Sequence, residues 1–300
     1  MIGYLMVAGS AAFVSFISSF VLWKLASRFG WYPEIRSRDV HKIPTPRLGG
    51  IAVFLSISAA MLVASFLVEF EGLFSNPRPL FAILIAAFVV VALGVVDDLI
   101  ELDWLTKLSG QFIAAGIVAW QGVQIVSLPI GGITIFSPTL SLVLTVLAIV
   151  LVMNAVNFID GLDGLASGVA LISNAVFFLY VLVLSLGEGM SQYFGLATMV
   201  TVLLAGALLG FFPLNWNPAK LFLGDSGALL VGLLMSVSAI SVTGQINPGV
   251  ISPTQLLPAF LPLILPLAVL IVPLVDFSLA VARRLRRGGS PFDADPAHLH

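Results

Sequence analysis

Charge is what this sequence has least of. Only 9% of its 300 residues are Asp, Glu, Lys or Arg, where a soluble domain carries about 25%. Too little polar surface remains to coat a water-soluble globule, so the solvent for most of the chain has to be lipid. Positive charge is not in surplus either. Thirteen Lys and Arg against 15 Asp and Glu leave a formal net charge of −2, and with it no basic face for nucleic acid. Cysteine is absent, which removes disulfides, thiol nucleophiles and zinc–thiolate sites. The first apolar stretch lacks an A-x-A cleavage signal and is too long for a signal peptide, so it reads as a membrane span.

What the chain has instead is apolar length: 59% of its residues are hydrophobic and the mean hydropathy is +1.12. Runs long enough to cross a bilayer recur at 3–25, 49–68, 79–96, 108–123, 140–156, 164–186, 193–212, 226–242 and 255–281. The last holds Pro258, Pro262, Pro266 and Pro273, so a kinked or divided helix is expected there. The fold class expected is an all-α polytopic membrane protein with about nine transmembrane helices, forming a single domain over 1–300 that looks truncated at its C-terminus. Nine spans sort Lys24, Arg28, Arg36, Arg38, Lys42, Arg47, Lys107, Lys220, Arg283, Arg284, Arg286 and Arg287 to one side and Arg78 to the other. By the positive-inside rule the N-terminus is then outside, and the loops rich in motifs face the cytoplasm. On the outer side, 123–136 alternates apolar and polar residues around Gly131-Gly132 and predicts a small β-hairpin.

The acidic residues concentrate on the expected cytoplasmic side, many at helix ends, where an ionisable group in a membrane segment signals function. Asp97-Asp98 closes the third span in LGVVDDLIELD. Neighbours on a helix point about 100° apart, so the two carboxylates can serve different partners. In a low-dielectric pocket their repulsion would be relieved by Mg²⁺ or by lysine, although a solvated helix end would carry such a pair as well. In NAVNFIDGLDGLASG, Asn154, Asn157, Asp160 and Asp163 recur every three residues. Such spacing drifts around a helix, but a break near Asp160-Gly161 would turn both carboxylates to one cavity. Two amides and two carboxylates suit ribose hydroxyls, a nucleobase or hydrated Mg²⁺; helix capping by Asp163 is the plain alternative. NWNPAKLFLGDSGALLVG sets Asp225 in a Gly-Asp-Ser-Gly turn that opens a helix, where it could hold a cation bridging to phosphate. Lys220 could pair with that phosphate and Phe222 stack on a base. In RSRDVHKIPTPRLGG, His41, Lys42 and Arg47 stand beside tight turns and fit an anionic headgroup or diphosphate, though topology alone would also place cations there. Asp276 lies late in the last span, and His298 and His300 end the chain.

PTPRLGG, VVDD, NAVNFIDGLDGLA, NPAKLFLGDSG and SPFDADPAHLH, in that order and on one side of the membrane, resemble the polyprenyl-phosphate N-acetylhexosamine 1-phosphate transferases. That family includes the phospho-MurNAc-pentapeptide translocase and the WecA/TagO-type GlcNAc-1-phosphate transferases. The resemblance implies Mg²⁺-dependent transfer of a HexNAc 1-phosphate from a UDP-sugar to polyprenyl phosphate, with release of UMP and with Mn²⁺ as a substitute metal. It makes Asp225 the main Mg²⁺ ligand, helped by Asp98. Asp97 and Asp98 would hold or deprotonate the lipid phosphate, and Asp160 and Asp163 would line the nucleotide and metal pocket. Asn215 and Phe222 would meet the uridine, and Lys42, His298 and His300 the phosphates. Arg47, Asn154, Asn157 and Lys220 complete the expected substrate-binding set. PRLGG and SPFDADPAHLH look more like the WecA/TagO-type branch, which favours UDP-GlcNAc, with phospho-MurNAc-pentapeptide transfer as the alternative. In the family the tail motif runs on past the second histidine; this chain stops at His300.

The expected partners are the UDP-sugar, the polyprenyl phosphate and the bilayer of a bacterial plasma membrane, with no nucleic acid; a homodimer stays open. A secondary transporter also uses broken helices and membrane carboxylates, but its site lies near the midplane between inverted repeats, and no repeat is visible. An intramembrane aspartyl protease would not need the asparagines. A CDP-alcohol phosphotransferase would need an arginine soon after Asp163.

Overall fold

The computed structural model describes residues 2–32, 45–128, 134–185 and 191–243, together with Arg286. The described chain is helical almost throughout, as backbone immersed in lipid must be to satisfy its own N–H and C=O groups. In chain order the helices are α1 (Ile2–Phe29), α2 (Gly49–Ser65), a short α3 (Glu71–Phe74), α4 (Arg78–Ile100), α5 (Trp104–Trp120), α6 (Pro138–Ile159), α7 (Leu165–Ser185), α8 (Ser191–Asn215) and α9 (Gly224–Thr243). Among the described residues six helices are long and apolar enough to cross a membrane by themselves. A seventh crossing is made if α2 and the 68–74 segment count as one element, which is bent by 97° at its break. The protein is a multi-pass membrane protein. Helices stand at eight of the expected places, α5 with only 17 residues, whereas 255–281 lies outside the described residues.

Local chemistry sets the helix ends. The Asp103 side chain accepts from the Thr106 N–H at 3.0 Å and caps α5. Ser137 accepts from Leu140 N–H and is followed by Pro138 at the first helical position of α6, where a missing N–H costs nothing. At the end of α4, Glu101 turns left-handed with φ 50°, and the Leu102 N–H is caught by Asp97 Oδ1 at 2.8 Å. Between α5 and α6, β1 (Ser127–Leu128) pairs antiparallel with β2 (Thr134–Ile135).

The bundle is organised around α9. Inside the protein 94% of its apolar stretch is buried, against 22% for α1, and it packs on α2, α4, α6 and α8. Close approach of its first turn needs glycine on two sides. A Cβ at Gly94 of α4 would fall 2.8 Å from the Asp225 carbonyl carbon, and one at Gly50 of α2 would fall 2.5 Å from that of Ser226. Both lie below any ordinary contact, so these two glycines let α2 and α4 close on the turn that carries Asp225.

Candidate active site

Two segments far apart in sequence are stitched by backbone alone. Phe222 N–H donates to Pro46 C=O at 2.9 Å, and Gly49 and Gly50 N–H donate to the carbonyls of Phe222 and Leu223 at 3.0 Å each. The PTPRLGG loop and the turn before α9 therefore form one unit, with Arg47 lying against Gly224. Around this unit gather the end of α4, the first turn of α5, the end of α6 and the start of α9.

Asp225 is the hub. Its Oδ2 accepts from Lys107 Nζ at 3.1 Å and its Oδ1 from Asn157 Nδ2 at 3.0 Å. Lys107 is also ion-paired with Asp97, which is 6% exposed; the ammonium thus stands between two carboxylates from different helices. Asp98 diverges from its neighbour as a helix requires. Its carboxylate oxygens face the Asp225 and Ser226 N–H groups at 3.4 and 3.5 Å, the positive end of the α9 dipole. Asp160, just beyond α6, receives a hydrogen bond from Gly224 N–H, and its carboxyl is pushed up to about 7. Burial contributes most and the charge of Asp225 next, with Arg47 and the Gly224 amide opposing them. Arg47 acts on both Asp98 and Asp160. A cavity of about 550 Å³ opens beside Asp98 and Arg47, walled by Leu22, Trp31, Leu48 and Ile51.

The matched model is that of glycosyl transferase family 4, over residues 80–243. A decaprenyl-phosphate N-acetylglucosaminephosphotransferase from Mycobacterium tuberculosis is 37% identical over 295 residues, 97% of this chain and 73% of its own length. The chain belongs to glycosyl transferase family 4. It is also similar to a probable undecaprenyl-phosphate N-acetylglucosaminyl 1-phosphate transferase from Bacillus subtilis, 29% identical over 93% of this chain and 71% of the relative. A phospho-N-acetylmuramoyl-pentapeptide-transferase from Halalkalibacterium halodurans is 32% identical over 68% of this chain and 63% of the relative. Within the stretch matched by the family model lie Asp97, Asp98, Lys107, Asn157, Asp160 and Asp225; Arg47 lies before it.

Three parts of the expected site turn to partners other than the hub. Asn154 forms no hydrogen bond to the hub: its amide donates to Gln111 Oε1 at 2.5 Å and to Val150 C=O at 2.8 Å. Asn215, expected to meet the uridine, is 2% exposed. Its Nδ2 donates to Leu221 C=O at 3.0 Å, and its Oδ1 accepts from Ser167 Oγ at 2.5 Å. Asp160 and Asp163 do not turn to the same partners across the break between α6 and α7. Asp163 Oδ2 accepts from Asn217 Nδ2 at 3.1 Å and from Ala219 N–H at 3.0 Å, which holds the turn after α8. Lys220 is exposed, with its Nζ 5.0 Å from the Trp23 ring centre. Phe222 is half-buried and enters the stitch through its backbone. Lys42, His298 and His300 lie outside the described residues, as do His41 and Asp276.

The expected set of site residues omitted Lys107. With the span read as opening at 108, Lys107 falls in a loop; only the start of α5 at Trp104 puts an ionisable group inside the helix. Gln111 and Ser167 were missed as well, because an amide and a hydroxyl in a membrane helix carry no charge to mark them.

Proposed function

We propose that this protein transfers GlcNAc 1-phosphate from UDP-GlcNAc to undecaprenyl or decaprenyl phosphate, giving polyprenyl-diphosphate-GlcNAc and UMP. This would be the first membrane step of a cell-envelope glycopolymer. Membership of the family and the activities for which its relatives are named support the reaction class. The observation that carries the reading into the structure is the hub: Asp225 held by Lys107 and Asn157 among three further carboxylates. In the proposed topology the chain crosses the bilayer nine times with the N-terminus outside. The hub then faces the cytoplasm, where the nucleotide sugar is available, and the lipid reaches it from the bilayer.

The donor set fits Mg²⁺. Fully ionised, as a bound cation would favour, Asp97, Asp98, Asp160 and Asp225 would bring four negative charges, and Lys107 and Arg47 return two, an excess that one divalent cation balances. All the donors are hard oxygens. Among the described residues no three acidic or histidine side chains close on one point. That suits a metal held by one or two carboxylates with the rest of its shell supplied by phosphate and water. Asp225, with Asp98, would hold it. When bound, the ion would neutralise charge on the diphosphate and on the departing UMP.

The chain's own groups do the remaining work in this reading. An oxygen of the lipid phosphate attacks the phosphorus that bears the sugar, the bond from that phosphorus to the oxygen of UMP breaks, and UMP carries the electron pair away. Both reactants are anions, so Arg47 and Lys107 offset their repulsion. Asp97 or Asp98 orients the lipid phosphate. The rival route passes through a covalent aspartyl phosphate; trapping labelled enzyme from donor alone would select it.

The test is a membrane assay with radiolabelled UDP-GlcNAc, polyprenyl phosphate and Mg²⁺, run beside Asp225→Asn. Labelled lipid from the wild type, lost without Mg²⁺ and reduced at least about a thousandfold in the folded variant, is the expected result. No product with UDP-GlcNAc but product with UDP-MurNAc-pentapeptide would reassign the donor. Failure with both would overturn the transferase reading.

A further inference from the structure

Gln111 and Asn154 sit one rung deeper in the bundle than the groups that grip Asp225. Gln111 follows Lys107 by four residues on α5, about 6 Å along the axis, and Asn154 precedes Asn157 by three on α6, about 4.5 Å. At these spacings each pair shares a helix face. α5 leads away from the hub and α6 returns to it, so the amide rung and the Lys107–Asp225–Asn157 rung are stacked.

The amide rung is reciprocal. Asn154 Nδ2 donates to Gln111 Oε1 at 2.5 Å, and Gln111 Nε2 reaches Asn154 Oδ1 at 3.5 Å. Asn154 is itself fixed by its second donation, to Val150 C=O. Gln111 is 3% exposed, so it has no access to a substrate. The other buried residues of α5 are Ala114, Ala115, Val118 and Ala119. Small apolar side chains pack closely but do not define an axial register; a directional amide pair does. A one-residue slip of α5 would move Lys107 by about 1.5 Å and rotate it by about 100°, taking its ammonium off Asp225.

We propose that the Gln111–Asn154 pair is a positioning device for the transfer reaction. It fixes α5 against α6 so that Lys107 and Asn157 engage the two oxygens of Asp225 together, which sets the carboxylate's orientation. The inference rests on the transferase reading, and its failure is separable from the failure of that reading.

The experiment uses the full chain in nanodiscs, with activity expressed per folded molecule. Gln111→Leu removes the bonds at similar length, while the paired exchange Gln111→Asn with Asn154→Gln restores them with the longer amide on the other helix. Gln111→Leu is expected to lower kcat by about tenfold to a hundredfold, with KM for both substrates within about twofold. The exchange recovers most of kcat, and in a Lys107→Met background Gln111→Leu costs no further kcat, because it acts through Lys107. Hydrogen exchange at 154–160, measured without substrate, rises in Gln111→Leu and falls back in the exchange variant. An unchanged kcat, an equal loss in the Lys107→Met background, or unchanged hydrogen exchange would each overturn the positioning role. A wild type without transferase activity would overturn the functional reading instead, and the exchange data would still decide the register claim.

Discussion

The two ends of the α5–α6 pair are built on opposite plans. At the end away from the hub the bonds among the described residues are neutral and internal. Thr145 Oγ1 accepts from Ile125 N–H at 2.8 Å and donates to Ser141 C=O at 2.7 Å. Ser141 Oγ reaches Ile125 C=O at 2.7 Å and Gln124 Oε1 at 3.1 Å, and Gln124 donates to Ala119 C=O at 2.9 Å. Each of these groups bonds to a neighbour, so the connection after α5 is fastened to the start of α6. At the hub end, charges from α4, α5, α6 and α9 converge without cancelling. A closed neutral network stabilises, while an open charged one is stabilised only when something else completes it.

That contrast can be broken from either end. The largest effect is expected from Lys107→Met, which leaves Asp97 and Asp225 facing each other without the ammonium between them; kcat should fall about a hundredfold, and a Lys107→Arg variant tests whether charge alone suffices. Full activity in Lys107→Met would show that the hub does not depend on its internal cation. Thr145→Val at the quiet end leaves the Ile125 N–H without its acceptor. It should lower stability by about 1–2 kcal/mol with turnover per folded molecule within about twofold, measured by thermal unfolding beside transfer. A large kcat loss there would mean that the two ends are coupled. The smallest effect belongs to Asp103→Ala, which removes the exposed cap of α5 and should be visible only as faster hydrogen exchange in that helix's first turn. Hydrogen bonds from the Thr106 hydroxyl and N–H hold the Asp103 carboxyl below its ordinary value. The cap's contribution is therefore present above the unfolded pKa of about 3.9 and lost as pH falls through the lower folded value. Exchange in wild type should approach that of the variant at acid pH.

Much of the helix inventory was legible because lipid tolerates few alternatives to an apolar helix, and the runs of Val, Leu, Ile and Ala mark where those helices lie. Their ends were less legible, and the error had a consequence. A span opening at residue 108 leaves Lys107 in a loop, as one more cation on the positive side; α5 opens at Trp104 and carries Lys107 inside. Likewise α4 runs to Ile100, which places both Asp97 and Asp98 on the helix and sends them to different partners. Acidic residues stand out because charge is rare in this chain. Amides are harder to place, because the sequence does not say whether an asparagine faces a cavity or a neighbouring helix. Gln111 absorbs Asn154, and Ser167 with the Leu221 carbonyl absorbs Asn215. The stitch between 46–50 and 222–223 left no trace at all, since backbone bonds require no particular side chain.

The central position of α9 also bears on how the protein is made. α9 is the last of the described long helices to leave the ribosome, yet it is the one the others surround, 94% buried along its apolar stretch. The helices ahead of it must wait in the bilayer around an unfilled groove, with Asp97 and Asp98 in place and their partner turn still unsynthesised. When α9 arrives, its first turn packs between Gly50 and Gly94 and brings Asp225 with it, so the charged hub is assembled only after the described helices ahead of α9 have been made. A nascent chain stalled before that point holds the acidic pair without the residue that unites the site.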